Sequence, residues 1–317
     1  MMAPLKIFFM ADIHNSELVF RKFLSIPKHY DVDILILSGD LTGKAIIPII
    51  DLGGNRYQYT FRGRTMVVSG PEELERAKSE LMNSGIYPYV CTMSEVEELK
   101  SDPEKVNRLF SRLITENMER WISMIEEHIP VDKQVIVMPG NDDIFEIDPV
   151  LKKSGRDIYP LGRLVELPLG YAMISLEYVN PTPWNTPREA DEKDLWKMLE
   201  KVANLVDRDW SRVICCFHAP PYNTMIDVAP KLDKNLRPVY SLGEIEKENV
   251  GSKSVRKFLE KYKPLMGMHG HIHESSGYDR IGRTMVFNPG SEYSSGILRG
   301  LILELDRDGL KSWHRIG

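Results

Sequence analysis

Short apolar runs rich in β-branched residues recur along the chain, separated by polar stretches with helical spacing. The runs span residues 5–11, 33–37, 134–138, 212–217, 264–268 and 284–287. Each is of strand length, and nearly all are apolar at successive positions, as in a sheet covered on both faces. The 3.6-residue period predicts a short helix over 16–24, a long one over 102–128, and others over 189–206 and 252–261. Pro103 falls in the first turn of the long helix and Pro130 just past its end, where a missing backbone N–H costs least. Strands alternating with helices make an α/β architecture the expected class.

Between residues 43 and 129 the strand rhythm stops. Residues 46–52, 58–61 and 64–68, separated by Gly53-Gly54-Asn55 and Arg62-Gly63, read as a small antiparallel excursion. Two or three helices come after it. The reading is a single domain over 1–317 with a helical and hairpin insertion, or cap, at about 44–130. At the other end, 297–305 and 310–314 flank Asp306-Arg307-Asp308-Gly309, which has the chemistry of a hairpin turn.

Composition narrows the function classes. The chain has 317 residues, 42% of them hydrophobic and 27% charged, ordinary for a globular protein. Its net charge is −5, and a net of −6 falls within 71–130, so the remainder is close to neutral. That balance argues against general affinity for nucleic acid or anionic membrane. The N-terminal apolar run is too short to span a membrane and lacks a basic leader. Cys91, Cys215 and Cys216 are odd in number, and two are adjacent in an apolar run. They read as buried thiols of a reducing compartment, the cytoplasm, rather than as a disulfide framework.

The chemistry lies where the apolar runs stop. The first ends in Asp12-Ile13-His14, the second in Ser38-Gly39-Asp40, and the third in Pro139-Gly140-Asn141-Asp142-Asp143. Two later runs end in His218-Ala219-Pro220-Pro221 and in His269-Gly270-His271-Ile272-His273. Ligands of open α/β sheets gather outside the carboxyl ends of the strands, which converges these residues on one place. Asp, Asn and His supply oxygen and neutral imidazole nitrogen, a set suited to Mn, Fe, Zn, Co or Ni. Seven candidate ligands (Asp12, His14, Asp40, Asn141, His218, His271 and His273) exceed what one tetrahedral ion takes and suit two ions sharing a carboxylate.

This ordered set resembles the calcineurin-like metallophosphoesterase superfamily, and Asn288-Pro289-Gly290-Ser291 is similar to that family's closing turn. The resemblance implies a four-layer αββα sandwich, two mixed sheets packed face to face between helices. It also implies two divalent transition metal ions, Mn favoured. Asp12, His14 and His273 would hold the first ion, Asn141, His218 and His271 the second, and Asp40 would bridge them. Such a pair of cations, about 3.5–4 Å apart, clamps a phosphoryl group and lowers the pKa of bound water to about 7. The implied function is phosphoesterase hydrolysis of a small phosphodiester or phosphomonoester by a hydroxide shared between the ions.

One position departs from the family pattern. A histidine usually succeeds the third-motif asparagine, and here Asp142 stands in its place. An aspartate, with an ordinary pKa of about 3.9, is a poor proton donor and repels phosphate. Three readings stay open. The leaving group needs little protonation; or His269, outside the usual set, is the acid; or the chain is a non-catalytic metal-binding interaction scaffold on the same fold, like the retromer subunit that shares it. The plainer reading of His269, favoured over catalysis, has it at its strand end bonded to backbone. A nuclease is the least favoured reading, given the acidic balance. Asp143 is expected to support a ligand histidine or to cap a helix, while His29, His128 and His314 lie outside any motif and read as surface residues. In the Pro220-Pro221 loop, Tyr222 and Asn223 are candidate substrate contacts. Residues 224–251, with the insertion, are expected to cover the mouth of the site. Nothing in the sequence sets the oligomeric state.

Overall fold

The computed structural model describes residues 3–317. The chain runs through β1 (Leu5–Ala11), α1 (Glu17–His29), β2 (Ile34–Ser38), β3 (Ala45–Gly53), β4 (Arg56–Phe61), β5 (Arg64–Ser69), α2 (Gly70–Asn83), β6 (Ile86–Cys91), α3 (Met93–Ser101), α4 (Pro103–His128), β7 (Gln134–Met138) and α5 (Ile147–Lys152). It continues with β8 (Val165–Leu167), β9 (Tyr171–Leu176), α6 (Glu192–Ala203), β10 (Val213–Phe217), β11 (Val228–Pro230), β12 (Tyr240–Ser241), β13 (Glu244–Ile245) and β14 (Lys247–Asn249). Last come α7 (Lys253–Tyr262), β15 (Met266–Met268), β16 (Gly277–Ile281), β17 (Thr284–Asn288), β18 (Gly300–Asp306) and β19 (Gly309–Ile316).

Two large mixed sheets form the body, ordered β19-β18-β1-β2-β7 and β16-β17-β15-β10-β9-β8. Alternation along each strand divides the apolar side chains between two faces. Ile7, Phe9, Ile34, Ile36 and Ile136 of the first sheet meet Met173, Ile214, Cys216, Met266 and Phe287 of the second in one buried layer. Phe8, Met10, Leu35, Leu37 and Val135 face the other way, onto Phe20 and Phe23 of α1 and Trp121 and Ile125 of α4. Ile174, Val213, Cys215 and Phe217 pack on Leu195 and Leu199 of α6 and Phe258 of α7. The result is the four-layer αββα arrangement. The adjacent Cys215 and Cys216 point to opposite faces, and all three cysteines are buried and free.

The topology explains the convergence. β1, β2 and β7 are parallel neighbours in one sheet, and β9, β10, β15 and β17 are parallel neighbours in the other. Parallel strands bring their carboxyl ends to the same edge, so the segments after β1, β2, β7, β10 and β15 all emerge there.

Local signals set the helix ends. Asp102 accepts from the N–H groups of Glu104 and Lys105 and starts α4, and Ser252 caps α7 through Val255 N–H. α1 runs past the expected residue 24 to His29. Pro27 sits within its final turns, and Ile26 still packs into the core. Among the described residues no helix is long and apolar enough to cross a membrane.

The interrupted region is a four-stranded sheet, β5-β4-β3-β6, rather than a purely antiparallel excursion, because β6 returns parallel to β3 after α2. Ile49, Tyr59, Phe61, Leu74 and Leu81 give it a small core of its own. α4 is different in kind. Its Ile114, Met118, Trp121 and Ile125 belong to the main core, so it is part of the helical layer over the first sheet.

Candidate metal centre

The ends of β1, β2 and β15 leave their sheets through turns that most side chains avoid. Asp12, His14, Asp40 and His271 all have left-handed backbones, with φ of 58°, 42°, 42° and 68°. For residues other than glycine this conformation costs about 1–3 kcal/mol and persists only where surrounding structure enforces it. Here the enforcement is a backbone zipper. His14 N–H donates to Asp40 C=O at 2.8 Å and Asn15 N–H to Leu41 C=O at 2.8 Å. Ser291 of the closing turn donates its hydroxyl to Asp12 C=O at 2.6 Å, and Asn288 Nδ2 donates to Ile272 C=O at 2.8 Å.

The glycines of the motifs are there for closeness. A Cβ on Gly39, whose φ is 76°, would lie 2.0 Å from His218 Nδ1. One on Gly140 would lie 2.3 Å from the Asp40 backbone nitrogen. Hydrogen at Gly39 lets the end of one sheet touch the other, and hydrogen at Gly140 lets the neighbouring β2 and β7 ends close on each other.

The converging side chains form two groups that share Asp40. Donor atoms of Asp12, His14, Asp40 and His273 lie within 4.8 Å of one another, as do those of Asp40, His218 and His271. The two Asp40 oxygens divide between the groups: Oδ2 is 3.6 Å from His14 Nε2, and Oδ1 is 3.3 Å from His218 Nε2. His14 Nε2 faces His273 Nε2 at 3.1 Å, and Asn141 Oδ1 stands 3.0 Å from His218 Nε2. The structure therefore brings all seven sequence-derived candidates to one place.

Burial sets the charge states. It lowers the histidine pKa values, to about 4 for His218 and about 3 for His271 and His273, and holds His14 well below its ordinary value. Burial raises Asp12 well above the carboxylate range, with the neighbouring Asp40 adding to the rise, and lifts Asp40 to about 6. Neutral imidazoles facing crowded, desolvated carboxylates are a donor set in need of cations. The residues fit two divalent ions.

Supports that the sequence did not advertise hold the donors. Asn141 Nδ2 donates to Thr186 Oγ1 at 2.9 Å, and Thr186 in turn donates to Glu189 at 2.6 Å, which leaves the Asn141 oxygen for the site. Asp143 neither supports a histidine nor caps a helix. Its carboxylate accepts from the N–H groups of Leu41, Thr42 and Gly140, tying the β2 and β7 ends together. Arg188, fully buried, donates to Asp143 C=O at 2.9 Å and to Asp148 at 2.7 Å. Tyr293 packs its ring on His14, centroids 4.6 Å apart. No spacing rule links Thr186, Arg188 or Tyr293 to the motifs, because their roles come from the tertiary path of loops.

The centre opens into a cavity of about 1020 Å³. Asp40, Asn141, Asp142, His271 and His273 line its inner part, with Lys44 and Tyr293 beside them. The 180–186 loop and residues 229–238 form other walls, and the 224–251 segment does border the cavity as expected. From the insertion only Lys44 reaches the cavity lining; the β3–β6 sheet stands aside.

Three expectations are corrected. His269 does not enter the centre: its Nδ1 lies 2.8 Å from Phe217 C=O and 2.9 Å from Ala219 C=O, the ring is fully buried, and burial lowers its pKa to about 4. With Nδ1 on backbone carbonyls and the ring outside the cavity lining, His269 does not reach a leaving group there. Tyr222 and Asn223 lie outside the cavity lining, turned instead to α7, where Arg256 donates to both their carbonyls and Lys253 lies over the Tyr222 ring. Asp142 does not stand as a bare anion. Its carboxylate pairs with the Lys44 ammonium, and its N–H donates to Asp40 Oδ1 at 2.9 Å. Burial and the Asp40 charge raise its carboxyl pKa, with Lys44 pulling the other way. His29, His128 and His314 are exposed, as expected.

Comparison with known proteins agrees with this geometry. The profile of the calcineurin-like phosphoesterases matches residues 5–275. An uncharacterized protein of Methanocaldococcus jannaschii is 35% identical over 159 residues, 49% of this chain and 63% of that protein. The match thus spans less than two thirds of the relative's length. One crystal structure aligns over 99% of this chain and 100% of its own at 16% identity with a TM-score of 0.59. That of TT1561 from Thermus thermophilus aligns over 100% and 99% at 12% identity with a TM-score of 0.53. At such identities the structural likeness speaks for the fold.

Proposed function

We propose that this chain, which belongs to the calcineurin-like phosphoesterase family, is a dinuclear metal-dependent phosphoesterase acting on a small phosphomonoester or phosphodiester. The observation that carries the reading is Asp40, whose two oxygens serve two separate donor groups at the meeting of the sheets. Asp12, His14 and His273 would hold one divalent ion, Asn141, His218 and His271 would hold the other, and Asp40 would be shared between them. Mn is the favoured metal, with Fe, Zn, Co and Ni chemically acceptable to the same donors. Such a pair supplies Lewis acidity and activates water for in-line attack at phosphorus.

The chain's own residues do the rest. The buried, neutral histidines offer lone pairs without a competing proton. The strained turns and the Thr186–Glu189 relay hold the donors in place, so little reorganisation accompanies reaction. With His269 bonded to backbone, no histidine is placed to protonate the leaving oxygen. The substrates that suit this site have leaving groups stable as anions, such as aryl or nucleotide-phosphate oxygens. The chain is read as an enzyme of the cytoplasm with a small phosphorylated substrate as its partner.

A non-catalytic scaffold is the second reading, favoured by Asp142 in the usual histidine position. Hydrolysis of bis-p-nitrophenyl phosphate and p-nitrophenyl phosphate separates the two. The enzyme reading expects turnover with added Mn²⁺, loss on chelation, and a drop of about 100-fold or more in Asp40→Asn, at or beyond the cost of removing a metal's outer support. Absence of turnover with every metal favours the scaffold.

A further inference from the structure

The insertion delivers one charged side chain to the cavity. Lys44 lies between the β2 end and β3, and its root is fixed. Gly43 N–H donates to the Tyr87 hydroxyl of β6 at 3.1 Å, and a Cβ on Gly43 would meet Gly85 C=O at 2.2 Å. From there the Lys44 ammonium reaches the Asp142 carboxylate, which is only 13% exposed, while the lysine side chain itself is 57% exposed. Both residues line the same cavity as Asp40, Asn141, His271 and His273.

We propose that Lys44, positioned by Asp142, binds a non-bridging phosphate oxygen of the substrate and so does the charge work of the histidine that Asp142 displaces. This rests on the dinuclear phosphoesterase reading above. An ammonium has three N–H donors. One is engaged by Asp142, and the side chain lines the cavity with donors beyond that pair. A bare Asp142 would repel a phosphate arriving at Asp40 and Asn141; the paired lysine cancels that charge and brings N–H donors into the cavity that the donor groups line. Lysine is well suited to hold phosphate as a point charge on a stem whose far end is anchored. Asp142 is then a positioning residue, and no proton transfer is assigned to either member of the pair.

The test uses the full chain loaded with Mn²⁺ and four variants, Lys44→Met, Lys44→Arg, Asp142→Asn and the double variant of Lys44→Met with Asp142→Asn. Metal content is measured first, then binding of inorganic phosphate by calorimetry, then KM and kcat for p-nitrophenyl phosphate. Lys44→Met is expected to keep the wild-type metal content while weakening phosphate binding about 10- to 100-fold, as loss of a charge-assisted contact does. Lys44→Arg should restore part of the loss. Asp142→Asn should weaken phosphate binding less than Lys44→Met and add little in the double variant, because the two act as a unit. Phosphate affinity within twofold of wild type in Lys44→Met, with metal intact, overturns the proposal and leaves the pair as a structural tie between insertion and body. Loss of metal in Lys44→Met overturns it as well. A wild-type chain that binds no metal is a different result, failing the dinuclear reading before phosphate is added.

Discussion

Two regions of this molecule use the same left-handed backbone for different ends. In the insertion, Gly53, Gly54 and Gly63 have φ of 79°, 60° and 74°, and a side chain added at any of them would meet nothing within 4 Å. Those glycines relieve hairpin turns in open solvent. At the candidate metal centre, Gly39 has φ of 76° and no room at all, with His218 in the space of its missing Cβ. There the conformation aims Asp40, and the lack of a side chain lets the two sheets share it. A turn glycine is a local convenience; a site glycine is a tertiary contact.

Buried carboxylates divide in the same way. Glu17, in the helical layer, is answered by Arg120, Trp121 and Arg21. Burial pushes its pKa up, but these hydrogen bonds and charges outweigh burial and hold it below the ordinary value. Burial raises both Asp12 and Asp40, and the Asp40 charge adds to the rise of Asp12. The protein answers the Glu17 carboxylate with cations of its own, while Asp12 and Asp40 sit raised among donor groups that fit divalent ions.

The sharpest break of the first contrast is Gly39→Ala. Left-handed strain of about 1–2 kcal/mol and overpacking of about 1–3 kcal/mol combine there, so urea unfolding should show a loss of about 2–5 kcal/mol, with metal binding impaired through the displaced His218. Next comes Glu17→Gln, which should cost about 1.5–3 kcal/mol at neutral pH, the worth of hydrogen bonds to a charged group. Because folding depresses the Glu17 pKa, its contribution is complete above the ordinary value of 4.5 and is lost as pH falls through the lower folded value. The gap between wild type and Glu17→Gln should therefore close as unfolding curves are recorded at successively lower pH; a gap that widens below pH 4.5 contradicts the assigned ion pair. The smallest effect is Gly63→Ala, with strain but no collision, expected at about 1–2 kcal/mol and with no change in metal content. Equal costs for the Gly39 and Gly63 substitutions would dissolve the distinction drawn between them.

Much of this was legible from strand-length apolar runs and from the polar residues that end each one. Asp12, His14, Asp40, Asn141, His218, His271 and His273 could be gathered because parallel strands share an edge, a rule that needs no coordinates. β6 was not legible, since its pairing with β3 depends on the path of α2 rather than on its own residues. Nor was the position of α4, whose amphipathic stripe states that it packs but not onto what. His269 sits one residue before Gly270 in a histidine-rich motif, and only its hydrogen bonds to the Phe217 and Ala219 carbonyls separate it from its neighbours. Lys44 was hidden because a single lysine after a loop has no pattern. Its partner Asp142 looked anomalous because it stands where the family pattern has histidine, half of an ion pair seen alone.

The central claim is that Asp40 joins two metal sites in one centre. The direct measurement is metal stoichiometry and affinity, by calorimetry with Mn²⁺ and elemental analysis, on wild type and Asp40→Asn. The account predicts two ions per wild-type chain and weakened binding of both in the variant. Two independent sites of which only one responds to Asp40→Asn, or a wild-type chain that takes up no metal, would contradict it.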